Sequence, residues 1–468
     1  MPPGPFPYPL IGNIPHLLCD PINPYSVLAD KYGDIFTLTF PSGDNTVVLN
    51  SASLVREARL GKQENLTGKS PSSIYPWNEI FENDLITSDY SPEFQFRRRV
   101  FKSAMHVFGA GIEQATELAG HAVGTAIEEI ENSEGKPFSP RQLLESSILI
   151  QLWQWLTSKE LHLNDPIIKS LSRFGAVVSK QALLSTVYQV VPFLTYLPTQ
   201  GNRNISQAKQ IRKTVFPKEY HSHKETYTPG VIRDLTDSFI SCYEKEIAKE
   251  TNKSIGSMED IAGLMCDVAF AGSDTTSTSL AWLFLYLVLN PDVQKKVHEE
   301  LDDVVGNKRL PSWKDVRDMP YLQATLCEVQ RASGMMVIVG TNAIRDMTIA
   351  GYHIPKGTFV AIHMDKLHHD EREWPEPDKF KPERFLDSDG KFAGWTKVHG
   401  FLPFSVGRRE CPGQSLAKIL LFTFASILLQ RYKIELPEGD KNPTTEAAEA
   451  ALIKRPKDFK IIAKKREC

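Results

Sequence analysis

The chain has 468 residues, a formal net charge of −3, and a composition that is 41% hydrophobic and 24% charged. This is ordinary for a globular protein, and the near-neutral charge gives no support for a nucleic-acid partner. The length would allow about three domains, but no linker divides it, so one large domain is expected. Six scattered cysteines, without a C-x-x-C pair or zinc spacing, favour a reducing compartment over a disulfide framework.

The N-terminal part begins with MPPGPFP, a stiff proline-rich leader without a signal peptide behind it. No run of the chain reaches the roughly 18 to 20 apolar residues that a membrane span needs. Residues 24–32 predict a short helix, and residues 35–40 and 46–49 predict two strands joined by the turn sequence PSGDN. Residues 77–87 mix aromatic, apolar and acidic types without a clear period, which is consistent with a pocket wall or with a surface loop.

A basic helix follows, with the sequence FQFRRRVFK at residues 94–102. Consecutive arginines on a helix point in different directions, so they do not share one task. A solvated basic face without a partner and a docking face for an acidic protein both fit this pattern. Residues 114–130 and 167–196 predict further helical regions, the second of them apolar.

The long central helix is predicted from Ser257, with a near capping box, to the Asn290-Pro291 pair. Its middle contains SDTTSTS, residues 273–279, within otherwise apolar surroundings. Such residues are poor helix formers and are costly to bury unless they are hydrogen-bonded. Back-bonding of the hydroxyls to carbonyls is one explanation. An acid beside an alcohol that passes protons to a reaction is the other.

One acidic and two basic residues in the later part of the chain form a further pattern. Glu328 and Arg331 share a helix face at i,i+3, which in isolation is most often a surface ion pair worth about 0 to 1 kcal/mol. Arg384 lies in the later sequence PERF. Residues 337–339 and 358–362 predict strands, and residues 447–464 predict a terminal hairpin with its tip near residues 451–452.

The most informative stretch is FSVGRRECPG, residues 404–413. It delivers Cys411 to the N-terminus of an apolar helix, where the macrodipole and free N–H groups favour a thiolate. A thiolate with Arg409 nearby for a carboxylate is what axial ligation of haem iron by sulfur requires. A small buried hydrophobic cysteine is the alternative. Five fixed positions spelling F-x-x-G-x-R-x-C-x-G arise by chance in such a chain with odds on the order of 10⁻⁴.

With these motifs in this order, the chain resembles the cytochrome P450 family along nearly its whole length. The resemblance is to the microsomal type, and in particular to vertebrate steroid and xenobiotic hydroxylases. It implies a mainly α fold with a small β-rich lobe. It also implies a proline-rich hinge at residues 1–15 after a missing membrane anchor, and a single haem-thiolate catalytic domain at residues 16–468. The native location implied is the cytosolic face of the endoplasmic reticulum membrane.

The resemblance also assigns roles to residues. It makes Cys411 the axial ligand of the iron of haem b, and Glu328, Arg331 and Arg384 a buried structural network. Gly272 leaves room for dioxygen, Thr275 hydrogen-bonds it, and Asp274 feeds protons from solvent. The other cofactor-binding residues implied are Arg409, Arg98, Phe404 and Gly413. The substrate-pocket residues implied are Leu85, Ile86, Phe270, Ala271, Val337, Ile338 and Leu452. The residues implied to dock a reductase are Arg97, Arg99 and Lys102.

Two departures from the family pattern concern haem anchoring. Phe94 stands where the family has a propionate-binding tryptophan, and the pair Thr341-Asn342 stands where it has a histidine or arginine. We therefore expect Arg409 and Arg98 to carry most of the propionate binding.

The function implied is monooxygenation of a lipophilic small molecule, steroid-like or xenobiotic, with O₂ and with electrons from NADPH. The implied partners are NADPH–cytochrome P450 reductase, cytochrome b5 and a membrane surface. One alternative is a haem-thiolate isomerase or dehydratase that acts on peroxides without a reductase, and the Asp274-Thr275 pair argues against it. Another alternative is a non-catalytic haem sensor.

Overall fold

A long buried helix, a five-stranded sheet and the cysteine loop all contribute to the wall of one cavity in a computed structural model of the chain. The structure describes residues 1–20, 23–61, 64–70, 76–110, 123–249, 255–396, 398–448 and 453–466.

The helices provide most of the ordered structure and most of the core. They are α1 (Ile14–Leu17), α2 (Pro24–Tyr32), α3 (Ala52–Arg56), α4 (Trp77–Ile80), α5 (Pro92–Ala110), α6 (Pro140–Thr157), α7 (Pro166–Val190), α8 (Gln200–Thr226), α9 (Leu235–Ile247), α10 (Asp260–Leu289), α11 (Pro291–Val304), α12 (Pro320–Ser333), α13 (Met364–His368) and α14 (Gln414–Arg431). Residues 123–132 are also helical. The short turns are a π-helical turn at Glu57–Gly61 and 3₁₀ turns at Pro192–Tyr196, Trp313–Asp318 and Pro382–Phe385.

The strands form one five-stranded sheet and two two-stranded sheets within the described ranges. They are β1 (Ile35–Thr39), β2 (Asn45–Leu49), β3 (Leu66–Gly68), β4 (Ile338–Ala343), β5 (Met347–Ile349), β6 (Tyr352–Ile354), β7 (Phe359–His363), β8 (Tyr432–Glu435) and β9 (Ile462–Lys465). The order of the large sheet is β1-β2-β7-β4-β3. Its β2–β7 pair is parallel and the other pairs are antiparallel. This sheet forms the small lobe, and the helices form the large one.

Sequence patterns explain which helices are central. Helix α10 is apolar nearly all round and is buried along most of its length, as expected of a core helix. Helix α11 is amphipathic instead, and it buries one face, formed by Val293, Gln294, Val297 and Leu301. Helix α10 packs most extensively against α6 and also contacts α14, the helix after the cysteine loop. The central helix and the cysteine loop are thereby held against each other.

Two sequence expectations concern the start of α10 and the end of the chain. The near capping box forms at Ser257, because the Asp260 carboxylate accepts from the backbone N–H of Ser257 at 3.2 Å and the Ser257 hydroxyl accepts from the N–H of Glu259 at 3.2 Å. The predicted terminal hairpin forms in its described residues, because Ala447 and Pro456 make an antiparallel bridge and the N–H of Ala448 donates to the carbonyl of Arg455 at 2.9 Å, while β9 pairs with β8. The predicted hairpin tip lies outside the described residues. Among the described residues, none of the helices combines the length and the apolar content needed to cross a bilayer.

Candidate active site

The cysteine loop is wound by two residues with positive φ. These are Ser405 at +59° and Gly407 at +89°. A side chain at Gly407 would put its Cβ 2.6 Å from the carbonyl oxygen of Arg59, so only glycine fits this turn. The backbone N–H of Cys411 then donates to the carbonyl of Phe404 at 2.9 Å. This turn presents the cysteine three residues before α14 begins.

The Cys411 side chain lines a cavity of about 1120 Å³. Burial raises the pKa of its thiol, while a hydrogen bond with the backbone of Gly413 and the charge of Arg98 act in the opposite direction. The backbone of Gly413 thus acts in the expected direction, and the expectation that the helix N-terminus favours the thiolate stays a prediction. A bound metal ion deprotonates a coordinating thiol outright, so this site holds a thiolate when a metal is ligated.

The cavity runs between the cysteine loop and the middle of α10. Phe404, Cys411 and Gly413 line one side, and Ala271, Gly272 and Thr275 line the other. The volume exceeds the about 300 to 1,000 Å³ of ordinary small-molecule pockets. There is room for a small molecule beside a large planar cofactor.

Arg98 and Arg409 both reach the cavity. Arg98 donates to the carbonyl of Glu410 at 2.9 Å. Arg409 donates through Nε to the carbonyl of Thr67 at 2.8 Å and through Nη2 to the carbonyl of Ser88 at 2.9 Å. Its buried Nη1 finds no hydrogen-bond partner among the described residues. Burial, together with the charge of Arg98, lowers the pKa of Arg409 to about 10. The free donor suits a carboxylate in the cavity.

Two further basic side chains on the same cavity, Arg59 and Lys69, were missed by the sequence reasoning. Burial lowers the pKa of Arg59 to about 10. Burial, and then repulsion by Arg409 and Arg59, lowers the pKa of Lys69 to about 7. Neither residue belongs to a motif, and only the fold brings them to the cysteine loop. A cluster of four basic groups at an apolar cavity fits the two propionates of haem.

The structure shows what Phe94 and Asn342, the two departures from the family pattern, contact. Phe94 is 1% exposed, and its ring lies 3.7 Å from the guanidinium carbon of Arg409, in the geometry of a cation–π contact. Asn342 accepts from the backbone of Ser70 at 3.0 Å and donates to the carbonyl of Gly357 at 2.8 Å. The asparagine therefore joins segments of the sheet lobe. Phe94 instead orients an arginine that faces the cavity.

The acid and the alcohol on α10 face different ways. Thr275 lines the cavity, and its hydroxyl donates to the carbonyl of Ala271 at 2.7 Å. The Asp274 carboxylate instead accepts from Arg455 at 2.7 and 2.8 Å and from the Ser179 hydroxyl at 2.9 Å. Asp274 is not part of the cavity wall. The Asp274 side chain would have to rotate toward Thr275 before it could pass a proton to the cavity.

Gly272 lies on the cavity wall and also faces α6. A Cβ built there would lie 2.9 Å from the end of the Leu152 side chain, so glycine also suits the close packing of α6 against α10. The role of Gly272 in leaving room for dioxygen stays a prediction.

Glu328, Arg331 and Arg384 come together in the core behind the cysteine loop. Arg331 donates to both oxygens of Glu328 at 2.8 Å, and both side chains are fully buried. Arg384 Nε lies 3.4 Å from the same carboxylate. Arg331 also donates to the carbonyl of His368 at 2.9 Å, and Lys381 N donates to Glu328 at 2.8 Å. This geometry fixes α12 to the segment before the loop.

Most, but not all, of the expected pocket residues lie on the cavity wall. Those on the cavity wall are Leu85, Ile86, Ala271, Val337 and Ile338. Phe270 lies elsewhere, with its ring 5.4 Å from that of Phe81 and 5.8 Å from that of Phe174. Its assignment to the pocket is therefore wrong, because the helix turns it into the aromatic core. Leu452 lies outside the described residues.

One of the three residues expected to form the reductase-docking face is not exposed. Arg97 is buried, and it reaches Ser88 at 3.2 Å and Asp260 at 3.7 Å. It is not part of an exposed surface, because this side of α5 packs toward the start of α10. Arg99 and Lys102 are exposed, but each has an acidic partner, at 3.4 Å and 2.9 Å respectively.

A cysteine at a helix N-terminus, facing a large cavity ringed by basic side chains, defines the class of haem-thiolate proteins. The family model described as cytochrome P450 matches residues 2–463. The chain belongs to the cytochrome P450 family, and it is accordingly a haem-thiolate monooxygenase with the mainly α fold that the sequence predicts.

Similar proteins span almost the whole chain. Cytochrome P450 2D20 of Mesocricetus auratus is 33% identical, covering 99% of this chain and 92% of the relative. The steroid 17-alpha-hydroxylase/17,20 lyase of Squalus acanthias is 29% identical, covering 98% of this chain and 91% of the relative. A solved structure of a zebra fish cytochrome P450 with progesterone is 27% identical, covers 97% of this chain and 99% of the other, and superposes with a TM-score of 0.82.

Proposed function

We propose that the protein inserts one oxygen atom from O₂ into a lipophilic small molecule, with electrons from NADPH delivered by a reductase. The observation that carries this is the large cavity that Cys411 shares with Thr275. When bound there, haem iron supplies the oxygen activation. Cys411 would hold the iron, and Arg98, Arg409, Arg59 and Lys69 would hold the propionates.

We infer that Thr275 and Asp274 handle the protons of the reaction. The Thr275 hydroxyl is in the cavity and can donate a hydrogen bond there once it leaves the Ala271 carbonyl. Asp274 lies beside it in sequence and is the nearest acid along the helix. Cleavage of O₂ with release of water needs protons at one oxygen, so an acid next to the cavity-lining hydroxyl supports this role.

The substrate class we propose is steroid-like or xenobiotic. The apolar wall formed by Leu85, Ile86, Val337 and Ile338 supports a lipophilic substrate. The similarity to a steroid hydroxylase and to a P450 structure with progesterone makes steroids the first compounds to try. An endoplasmic reticulum membrane surface is the proposed location. Support comes from exposed apolar residues in the leader and in the turn after α7, namely Phe6, Leu10, Phe193 and Tyr196.

The test is a titration of the haem-loaded protein with progesterone, followed by stopped-flow reduction with an NADPH-dependent microsomal reductase. We expect progesterone or another steroid to shift the spin state of the haem, and the reductase to reduce it. Reduction without a response to any steroid or xenobiotic would reject the substrate class. Failure of the reductase to transfer electrons would reject the proposed electron donor.

A further inference from the structure

Lys454, on the returning arm of the terminal hairpin, is a buried lysine that is attached to three other parts of the chain. Its Nζ donates to the Asp365 carboxylate at 2.7 Å, and each of the two side chains is 11% exposed. Its backbone N–H donates to the carbonyl of Met335 at 2.7 Å. Its carbonyl accepts from the indole N–H of Trp282 at 3.0 Å. Lys454 therefore joins the hairpin to α13, to the residues after α12 and to α10.

The partner acid, Asp365, lies against the end of α12. Gly334 ends that helix with a φ of +49°, and a Cβ built on it would overlap the Asp365 carboxylate. The Nδ1 atom of His369 lies 3.4 Å from the same carboxylate. Burial raises the pKa of Asp365, but the hydrogen bond with His369 and the charge of Lys454 outweigh burial and lower the pKa below its ordinary value. The contact with Lys454 is therefore a buried ion pair.

The residues next to these contacts form part of the cavity wall. Met335 and Met336 follow Gly334 along the chain, and Met364 precedes Asp365. All three methionines line the cavity, and we call them the methionine wall. Methionine has three rotatable bonds and packs against ligands of irregular shape. Such a wall keeps a defined shape only where the backbone that carries it is held in place.

We propose that Lys454 and Asp365 are positioning residues that fix the methionine wall and so determine which bulky lipophilic molecules fit the cavity. Neither side chain lines the cavity, so both act through the backbone. Asp365 follows Met364 directly in the chain. Lys454 holds the carbonyl of Met335, so the ion pair ties the two parts of the wall together. This inference rests on the proposed function only in that the cavity receives a lipophilic molecule.

The Lys454–Asp365 pair can be removed in two ways that differ in their effect on stability. Removing Lys454 alone leaves the Asp365 carboxylate buried without its lysine, which destabilises the fold. Removing both charges relieves that cost, because the desolvation of a buried pair offsets most of its attraction, but the link between the two parts of the wall is still lost. An exposed pair on the same hairpin, Lys457 with Glu446 at 2.6 Å, contributes little to stability and provides a matched control.

The test measures, by absorbance, how tightly the haem-loaded full chain binds two nitrogen ligands of haem iron, the small imidazole and the bulky clotrimazole. Neither measurement needs a reductase or turnover. We expect Lys454→Met to raise the Kd of clotrimazole about tenfold, equivalent to losing the burial of about two methylene groups, and to change that of imidazole by less than about twofold. Lys454→Met combined with Asp365→Asn should recover most of the urea midpoint and keep the weakened binding of clotrimazole. Lys457→Met should match the parent protein throughout.

Three results would overturn the positioning role. If clotrimazole affinity recovers together with the urea midpoint in the double variant, the pair only stabilises the fold. Equal losses for imidazole and clotrimazole would place the change at the haem instead of the wall. Clotrimazole binding as tight as in the parent protein in both variants would show that the methionine wall does not depend on the pair. If the expected differences appear but the reductase transfers no electrons, the proposed electron donor fails and the positioning role stands.

Discussion

Replacing Phe94 with leucine removes the aromatic ring that makes a cation–π contact with the Arg409 guanidinium, and it keeps a buried apolar side chain at this position. The ring centroid lies 3.7 Å from the guanidinium carbon, and both groups are largely buried. A desolvated cation–π contact is worth about 2 kcal/mol. At about 1.4 kcal/mol per factor of ten, a freed Arg409 should speed haem release roughly 30-fold. Phe94→Trp should release haem as slowly as the parent protein does, because indole is a better partner for a cation than the phenyl ring.

The assay for Phe94→Leu is the rate of haem transfer to an excess of a haem-free acceptor protein, followed by absorbance. Phe96→Leu is the matched control. It changes a fully buried ring on the same helix, and that ring packs against Tyr243 instead of an arginine at the cavity. Equal rates of haem release in Phe94→Leu and Phe96→Leu would refute the reasoning, since general loss of packing would then explain both.

Two further predictions concern buried charges. Arg331→Met removes the two-oxygen partner of the buried Glu328 and leaves that carboxylate only the longer 3.4 Å contact with Arg384 and the backbone N–H of Lys381. The free energy of unfolding measured in urea should therefore fall by about 3 to 5 kcal/mol; an unchanged urea midpoint would contradict this. Burial lowers the pKa of His223, but hydrogen bonds with Asp234 and Glu219 outweigh it and raise the pKa to about 9. The charged histidine should stabilise the fold fully below its unfolded pKa of about 6.5 and progressively less up to about 9. His223→Gln should make the melting temperature nearly independent of pH over this range. A melting temperature that still falls with pH as it does in the parent protein would contradict the raised pKa of His223.

Local motifs allowed much of the site to be predicted. Cys411 and its glycine turn lie within ten residues, and Glu328 and Arg331 lie one helical turn apart. Short-range geometry therefore brings these groups together before any tertiary packing. The family resemblance then supplied the fold, because the motifs occur in order along the whole chain.

Long-range packing explains what the sequence did not reveal. Arg59 and Lys69 reach the cavity only because the sheet lobe folds against the cysteine loop. Arg455 meets Asp274 across 181 positions, a separation with no local pattern. Arg97 was expected to be exposed because the helix sequence is basic, but the packing of α5 buries it.

The pKa of the Cys411 thiol has a local and a long-range cause. The backbone of Gly413, two residues away, lowers this pKa, while burial in the assembled protein raises it. Burial depends on tertiary packing and cannot be obtained from residues 404–413 alone.

The central claim is that Cys411 supplies sulfur to haem iron. The most direct measurement is the absorption spectrum of the reduced carbonyl complex of the parent protein and of Cys411→Ser. Sulfur ligation predicts a red-shifted band in the parent protein and its loss in the variant. The exposed Cys19→Ser should keep the band. A band that survives in Cys411→Ser would show that another residue holds the iron.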